Sequence, residues 1–354
     1  MVLLNFALVG CGRIAKRYID LFKQKQIQGG QLIAVCDVLL ERAQQYATEL
    51  NIPAYHDFYD MIQQEKIDVI CILTPSGLHA EHVIALAPYC KNIIVEKPMS
   101  LTLDDADKMI HICALHQTRL FVVKQNRFNL PVQKLRTAIE AKRFGKLVLG
   151  TIRVRWCRTQ AYYDQDNWRG TWAYDGGVLA NQASHHIDLL EWMMGDVESV
   201  FAKSSTALVN IETEDTAVVT LKFKNGALGV IEATTATRPK DIEGSLSILG
   251  EKGIVEIGGF AVNKLIQWQF QKMQPDEEKT LADYSVNPPN IYGFGHQAYL
   301  THVIDCIQNQ TPPLVDGLEG RRSLELISAI YESIETGQEV FLRFTPKKCR
   351  LGQR

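Results

Sequence analysis

The chain has 354 residues and a formal net charge of −2, with 46% hydrophobic and 22% charged residues. That length is enough for two domains with separate cores, and the near-neutral balance leaves no electrostatic footprint for nucleic acid or an anionic membrane surface. No apolar run approaches the ~20 residues needed to span a bilayer.

Up to about residue 123, short β-branched runs alternate with helical patterns. The runs fall at 5–10, 32–37, 69–74, 92–97 and 119–124, with a short one near Ala54. Amphipathic stretches at 38–50 and 77–90 lie between them, and Thr102 with Asp105 reads as the start of a helix over 103–117. Strands alternating with helices predict a parallel, doubly wound sheet covered on both faces.

From about residue 145 strand-like segments come one after another, at 146–157, 197–206, 214–224, 226–235, 244–250 and 253–258, and Asn225–Gly226 is a hairpin signal. The expected fold is therefore α/β. A Rossmann domain at 1–123 precedes an α+β domain at 124–354, built on a large, mostly antiparallel open sheet. Helices at 131–143, 177–194 and 294–309 should cover one face of that sheet. The other face predicts self-association, as a dimer or tetramer.

Met1 leads almost directly into a strand-like run, without a leader pattern, so the expected location is the cytoplasm. The eight cysteines lack a Cys-x-x-Cys pair, and several sit inside apolar runs. They read as buried free thiols in a reducing compartment, and the spacing of His79, His82, His185 and His186 gives no metal-binding set.

The first chemically informative stretch is Gly10-Cys11-Gly12-Arg13-Ile14-Ala15, which succeeds a strand and opens a helix. Gly10 permits the tight turn and Gly12 lets the backbone approach a pyrophosphate. Ala15 is small enough for close helix–strand packing, and the N–H groups at Arg13 and Ile14 face the phosphates. Asp37, ending the second run, is placed to accept hydrogen bonds from the adenosine ribose and to repel the extra phosphate of NADP. The expected cofactor is NAD, although Arg42 offers a cation that would suit NADP. Two further loops, Thr74-Pro75-Ser76-Gly77-Leu78-His79 and Glu96-Lys97-Pro98, end later strands and so should border the cofactor crevice.

Taken with Lys124-Gln125-Asn126-Arg127-Phe128 and the GGVLANQASHHIDLL segment at 176–190, these motifs resemble the glucose–fructose oxidoreductase / inositol dehydrogenase / MocA family over essentially the whole chain. The resemblance implies an NAD-dependent sugar or polyol dehydrogenase. It puts Lys97 at the family's active-site lysine and His185 at its catalytic base, and adds Gln125 to the cofactor contacts. The family's aspartate is replaced by Asn181, which can orient a hydroxyl but not relay a proton. The runs at 124–129, 162–177 and 181–190 are similar to those of dehydrogenases acting on UDP-N-acetylglucosaminuronate in surface-polysaccharide pathways. That similarity implies oxidation at the sugar C3, with 2-oxoglutarate as a candidate acceptor of the reducing equivalents.

The chemistry suits these residues. A neutral imidazole takes a hydroxyl proton near its ordinary pKa of about 6.5, and a fixed ammonium stabilises the developing alkoxide. Arg127, Tyr163, Trp168, Arg169, Asn181 and Gln182 are the further candidates for holding an anionic nucleotide sugar, arginine for its two-point pairing and the aromatics for stacking. Arg153 and Arg155 alternate along a strand and read instead as its solvated face. A glycoside hydrolase with transient NAD oxidation and a non-catalytic NAD-binding sensor are the rival functions of the same pattern.

Overall fold

The computed structural model describes residues 3–275, 277–285, 295–343 and 349–352. The chain divides into two compact units: Met1–Ser100 with Asp104–Val123 and His296–Arg321, and Leu101–Leu103 with Lys124–Gly295 and Arg322–Arg354.

In the first unit β1 (Leu4–Val9), β2 (Gly30–Cys36), β3 (Ala54–Tyr55), β4 (Val69–Ile72), β5 (Asn92–Val95) and β6 (Arg119–Val122) form one sheet. Its order is β3-β2-β1-β4-β5-β6, and all five neighbouring pairs are parallel. The connecting helices are α1 (Arg13–Lys23), α2 (Leu40–Leu50), α3 (Phe58–Gln64), α4 (His79–Leu86) and α5 (Leu103–Leu115). β4 and β5 are buried at every residue, as continuous apolar strands covered on both faces should be. Strand order reverses between β1 and β4, the place where such sheets bind ligands beyond their carboxyl ends.

The second unit carries α6 (Leu130–Glu140), β7 (Leu147–Arg155), α7 (Gln160–Tyr163) and α8 (Ser184–Met194), then β8 (Val197–Ser205), β9 (Thr216–Phe223), β10 (Leu228–Thr234), β11 (Glu243–Gly250), β12 (Gly253–Gly258), β13 (Lys264–Phe270) and α9 (Thr280–Asp283). After these come α10 (Gly295–Gln308), α11 (Gly317–Thr336) and β14 (Val340–Phe341). The sheet order is β13-β12-β11-β7-β10-β9-β8-β14, with β7–β10 its one parallel pair among the described residues. Asn225 and Gly226 form the expected hairpin: Gly226 has φ +85°, and Phe223 N–H donates to the Ala227 carbonyl.

One face of this sheet is the core. Ile152, Val154, Val219, Ile231, Leu246, Ile248, Val255 and Ile257 are all fully buried. α8 packs so close that a side chain on Gly150 would overlap Leu190 and Met194. Its Ile187, Leu189, Leu190, Met193 and Met194 are each at most 2% exposed, and burying each such chain is worth about 1.5–3 kcal/mol. On the opposite face Arg155 pairs with Glu232 and Glu243, and Arg153 with Glu243 and Glu256. Those two arginines are the surface lattice of the sheet.

Two expectations change. The stretch 177–194 is helical only from Ser184, because the glycine pair before it makes a turn. The helix expected at 294–309, whose first residue lies outside the described ones, joins the first unit from His296 onward and not the second sheet. Gln297 Nε2 donates to the Gln26 carbonyl there, and Leu300, Val303 and Ile304 are buried. Amphipathic spacing tells that a helix has an apolar face, not which sheet will cover it.

Candidate functional site

Gly10, at φ +98°, makes the turn after β1, and a Cβ there would strike the backbone of Leu73 and Thr74. Gly12 caps α1 with no side-chain hydrogen bond, the first turn holds no acidic residue, and a Cβ on Gly12 would meet nothing within 4 Å. No neighbour among the described residues requires that glycine. Ala15, fully buried, packs α1 against the sheet. An uncapped helix N-terminus opened by Gly12, with Arg13 and Ile14 as its first residues, fits a dinucleotide's pyrophosphate.

Asp37 directly follows β2. Its Oδ2 accepts the Cys11 N–H at 2.7 Å and its Oδ1 accepts the Leu39 N–H at 2.8 Å. Each carboxylate oxygen has a second lone pair, so the residue can fix the glycine loop and also receive ribose hydroxyls. Burial pushes the neighbouring Cys11 and Cys36 thiols up to about 12, which leaves them unreactive packing groups. All eight cysteines are free thiols.

The loops after β4 and β5 are tied together by His79. Its Nδ1 lies 2.8 Å from the Pro98 carbonyl and its Nε2 lies 2.9 Å from the Thr74 carbonyl. Burial lowers its pKa against the pull of both carbonyls, so a neutral ring donates to one of them. His79 is thus a clip between the loops, and Thr74 hydrogen-bonds to His82. Ser76 is buried and Pro75 half-buried.

Glu96 also turns inward. It accepts from Tyr18 at 3.0 Å and from the Lys97 N–H at 3.0 Å, with His296 at 3.4 Å. Burial works to raise its pKa, but His296 and Lys97 hold the carboxyl below the usual range. Lys97, half-buried at the carboxyl end of β5, is therefore seated on an anchored backbone.

In the second unit His185 lies in the first turn of α8, 8% exposed, with Nε2 2.9 Å from Gln125 Nε2. That contact fixes the ring and, through the amide's orientation, its tautomer. His186 points to the sheet, edge-on to Trp156, with both ring nitrogens buried and without a hydrogen-bond partner among the described residues. Burial lowers its pKa to about 4, so it stays neutral and structural. Gln125 Oε1 and Gln182 Oε1 are buried acceptors with no partner among the described residues. One belongs to the side chain touching His185, and the other lies three residues before it. Buried polar atoms seldom go unpaired, which makes these two acceptors suited to hydroxyl donors.

Asn181 precedes the helix. Its amide nitrogen donates to Asp175, and its backbone N–H donates to the Gly177 carbonyl. Arg127, expected to reach substrate, is 2% exposed and held by Asp188 through two 2.8 Å hydrogen bonds. Its guanidinium lies over the Trp192 ring, and Lys124 lies 3.5 Å from the same carboxylate. This network seats the turn that presents Gln125 to His185.

Tyr163 is likewise interior, with its hydroxyl 3.1 Å from Thr235 Oγ1. Trp168 and Arg169 are half-buried. Arg169 lies over the Trp168 ring at 4.5 Å and pairs with Asp166 at 2.9 Å. Sequence reasoning gave no role to Asp175, Glu214 or Tyr331, and lone acids or tyrosines in loops and helices carry no spacing signal. Among the described residues no His/Cys/Asp/Glu group could hold a metal ion and no helix is long and apolar enough to cross a membrane.

Residues 4–124 match the model described as an oxidoreductase family, NAD-binding Rossmann fold, and residues 136–342 match its C-terminal alpha/beta domain. The structure is similar to the WlbA dehydrogenase of Bordetella pertussis, solved with NADH and UDP-GlcNAcA. That pair shares 41% identity and a TM-score of 0.92, covering 97% of this chain and 98% of the other. The WlbA dehydrogenase of Chromobacterium violaceum, solved with the same two ligands, gives 40%, 0.91, and 97% of each chain. The myo-inositol 2-dehydrogenase of Thermotoga maritima is 29% identical over 96% of this chain and 98% of its own length. With both of its halves matched, the chain belongs to the GFO/IDH/MocA family of oxidoreductases and is a dehydrogenase with an NAD-binding Rossmann domain.

Proposed function

We propose that this enzyme oxidises the 3-hydroxyl of UDP-N-acetylglucosaminuronate to the 3-keto sugar, with 2-oxoglutarate as the final acceptor. The observation that carries the reading is a pair of buried acceptors without a partner among the described residues: Gln125 Oε1, on the side chain that touches His185, and Gln182 Oε1, three residues before that histidine in the chain. Support for the nucleotide-sugar class comes from full-length likeness to two dehydrogenases solved with UDP-GlcNAcA.

NAD, when bound, accepts the two electrons and the hydrogen released from the sugar carbon. Gly10, Gly12, Arg13, Ile14 and Asp37 would hold it, with Thr74, Pro75 and Ser76 along the loop after β4. Gln125 holds the His185 ring in one orientation, and His185 takes the hydroxyl proton on Nε2 as the substrate hydroxyl replaces the Gln125 amide there. Lys97 stabilises the oxygen as negative charge develops. Asn181 and Gln182 orient the hydroxyls, while Trp168 and Arg169 meet the charged, planar part of the substrate. Arg127 and Tyr163 drop out of the contact set, because both are engaged inside the unit. Glu96 and His79 support the loops from beneath. Self-association through the outer sheet face, where Phe201, Val218, Leu228 and Ile254 are exposed, belongs to the same proposal.

Mass spectrometry of purified protein incubated with UDP-N-acetylglucosaminuronate, NAD and 2-oxoglutarate tests the reading. A keto-sugar nucleotide together with 2-hydroxyglutarate is the expected result. Keto sugar with NADH but no 2-hydroxyglutarate removes the acceptor. Neither product removes the nucleotide-sugar assignment.

A further inference from the structure

Gly176 and Gly177 open the segment that carries Asn181 and His185. Gly176 has φ +80°, and a Cβ on Gly177 would overlap the Glu214 carboxyl, so the loop backbone lies directly on that side chain. Three successive N–H groups of the loop are taken up there. Gly177 N–H donates to the Tyr331 hydroxyl at 3.2 Å, Val178 N–H to the Glu214 carbonyl at 3.0 Å, and Leu179 N–H to Glu214 Oε1 at 3.0 Å. Tyr331 closes the set by donating to Glu214 Oε1 at 2.9 Å. Carbonyls of the same loop accept the N–H groups of the next turn: Asn181 N–H donates to Gly177 at 3.0 Å and Ala183 N–H to Val178 at 2.7 Å. The next link, Ile187 N–H to the Ala183 carbonyl at 2.9 Å, is already in α8.

We propose that Glu214 is a positioning residue of the reaction: with Tyr331 it latches the Gly177–Leu179 backbone and thereby sets where Asn181 and His185 stand. The inference rests on the reading that those two residues act on the sugar. Glu214 is 4% exposed and its Oε2 has no partner among the described residues. Facing it are Tyr331 from α11 and Asp175 from the loop itself. Burial, with Asp175 adding to it, raises the carboxyl to about 7 against the hydrogen bonds from Leu179 and Tyr331. The latch is therefore uncharged at mildly acid pH and acquires a buried negative charge as pH rises.

Two readouts on Glu214→Gln and Glu214→Ala test this. In hydrogen exchange corrected for intrinsic rates, amides 177–183 of the native enzyme should lose protection about 10-fold as pH goes from about 6 to about 8, and Glu214→Gln should not. In turnover, Glu214→Gln should lack the falling alkaline limb of the native kcat/KM profile. Glu214→Ala should raise the sugar KM about 10-fold, the cost of a lost buried hydrogen bond, with NAD affinity unchanged. Identical pH dependence of loop protection in Glu214→Gln and the native enzyme overturns the latch, as does Glu214→Ala with native KM and native protection. Should the native enzyme not turn over nucleotide sugar at all, the functional reading fails, and the exchange arm still decides the latch.

Discussion

Two glycine-containing turns, Gly10–Ala15 in the first unit and Gly176–Ala183 in the second, both lead into a helix that bears site residues, yet their glycines answer to different partners. A Cβ on Gly12 would meet nothing, whereas one on Gly177 would overlap Glu214. The first turn leaves its helix N-terminus uncapped by any side chain, and the second spends its N–H groups on Glu214 and Tyr331. A glycine can thus be kept for what binds from outside or for what packs from inside, and only coordinates tell which. The first turn leaves its backbone N–H groups open to a ligand, and the second turn is set by side chains buried behind it.

The sharpest break of that contrast is Lys97→Met. The expected result is a loss in kcat of about 10³ or more, with NAD affinity measured by fluorescence quenching nearly unchanged, since the proposed cradle for the dinucleotide is the glycine turn and Asp37. An equal loss in affinity would mean that Lys97 belongs to the cofactor cradle. Next is Asp188→Ala, which strands the buried Arg127 and Lys124. Urea denaturation should show a loss of about 3–5 kcal/mol, the usual cost of breaking a buried ion pair from one side.

The pH dependence of stability sharpens the account of the second turn. Glu214 binds its proton more tightly folded than unfolded, with the pKa raised from 4.5 to about 7. Its contribution is therefore fully present below about pH 4.5 and lost as pH climbs through about 7. The native protein should lose on the order of 3 kcal/mol relative to Glu214→Gln across that window, and no more above it. A parallel pair of stability curves would contradict this. The smallest contrast is between the glycines themselves. Gly177→Ala should destabilise by about 1–3 kcal/mol, while Gly12→Ala should alter the unfolding midpoint little and show itself as weakened NAD binding.

Much of the first unit was legible because its signals are local. Apolar runs of four residues become buried strands, Gly10 sits at a positive φ, and Asp37 follows directly on β2. The second unit hid more. β13 (KLIQWQF) and the 20-residue α11 carry polar residues that masked their period, and neither was anticipated. Arg127 looked like a substrate anion-binder because its partner Asp188 is 61 residues away in sequence. On a helix buried almost all round, His185 lies against Gln125 and His186 against Trp156, contacts with residues 60 and 30 positions away that no local spacing reveals.

In the proposed reading, the second unit's buried acceptors and half-buried Trp168–Arg169 pair favour a nucleotide-linked uronate over a free polyol. The direct measurement is kcat/KM, by NADH absorbance, for UDP-N-acetylglucosaminuronate against myo-inositol and glucose. The account predicts a preference of about 10³-fold or more for the nucleotide sugar, as expected where two-point charge recognition adds to hydroxyl contacts. Equal or higher efficiency with the free polyol would contradict it, leaving the fold and the cofactor in place and moving the substrate to the inositol class.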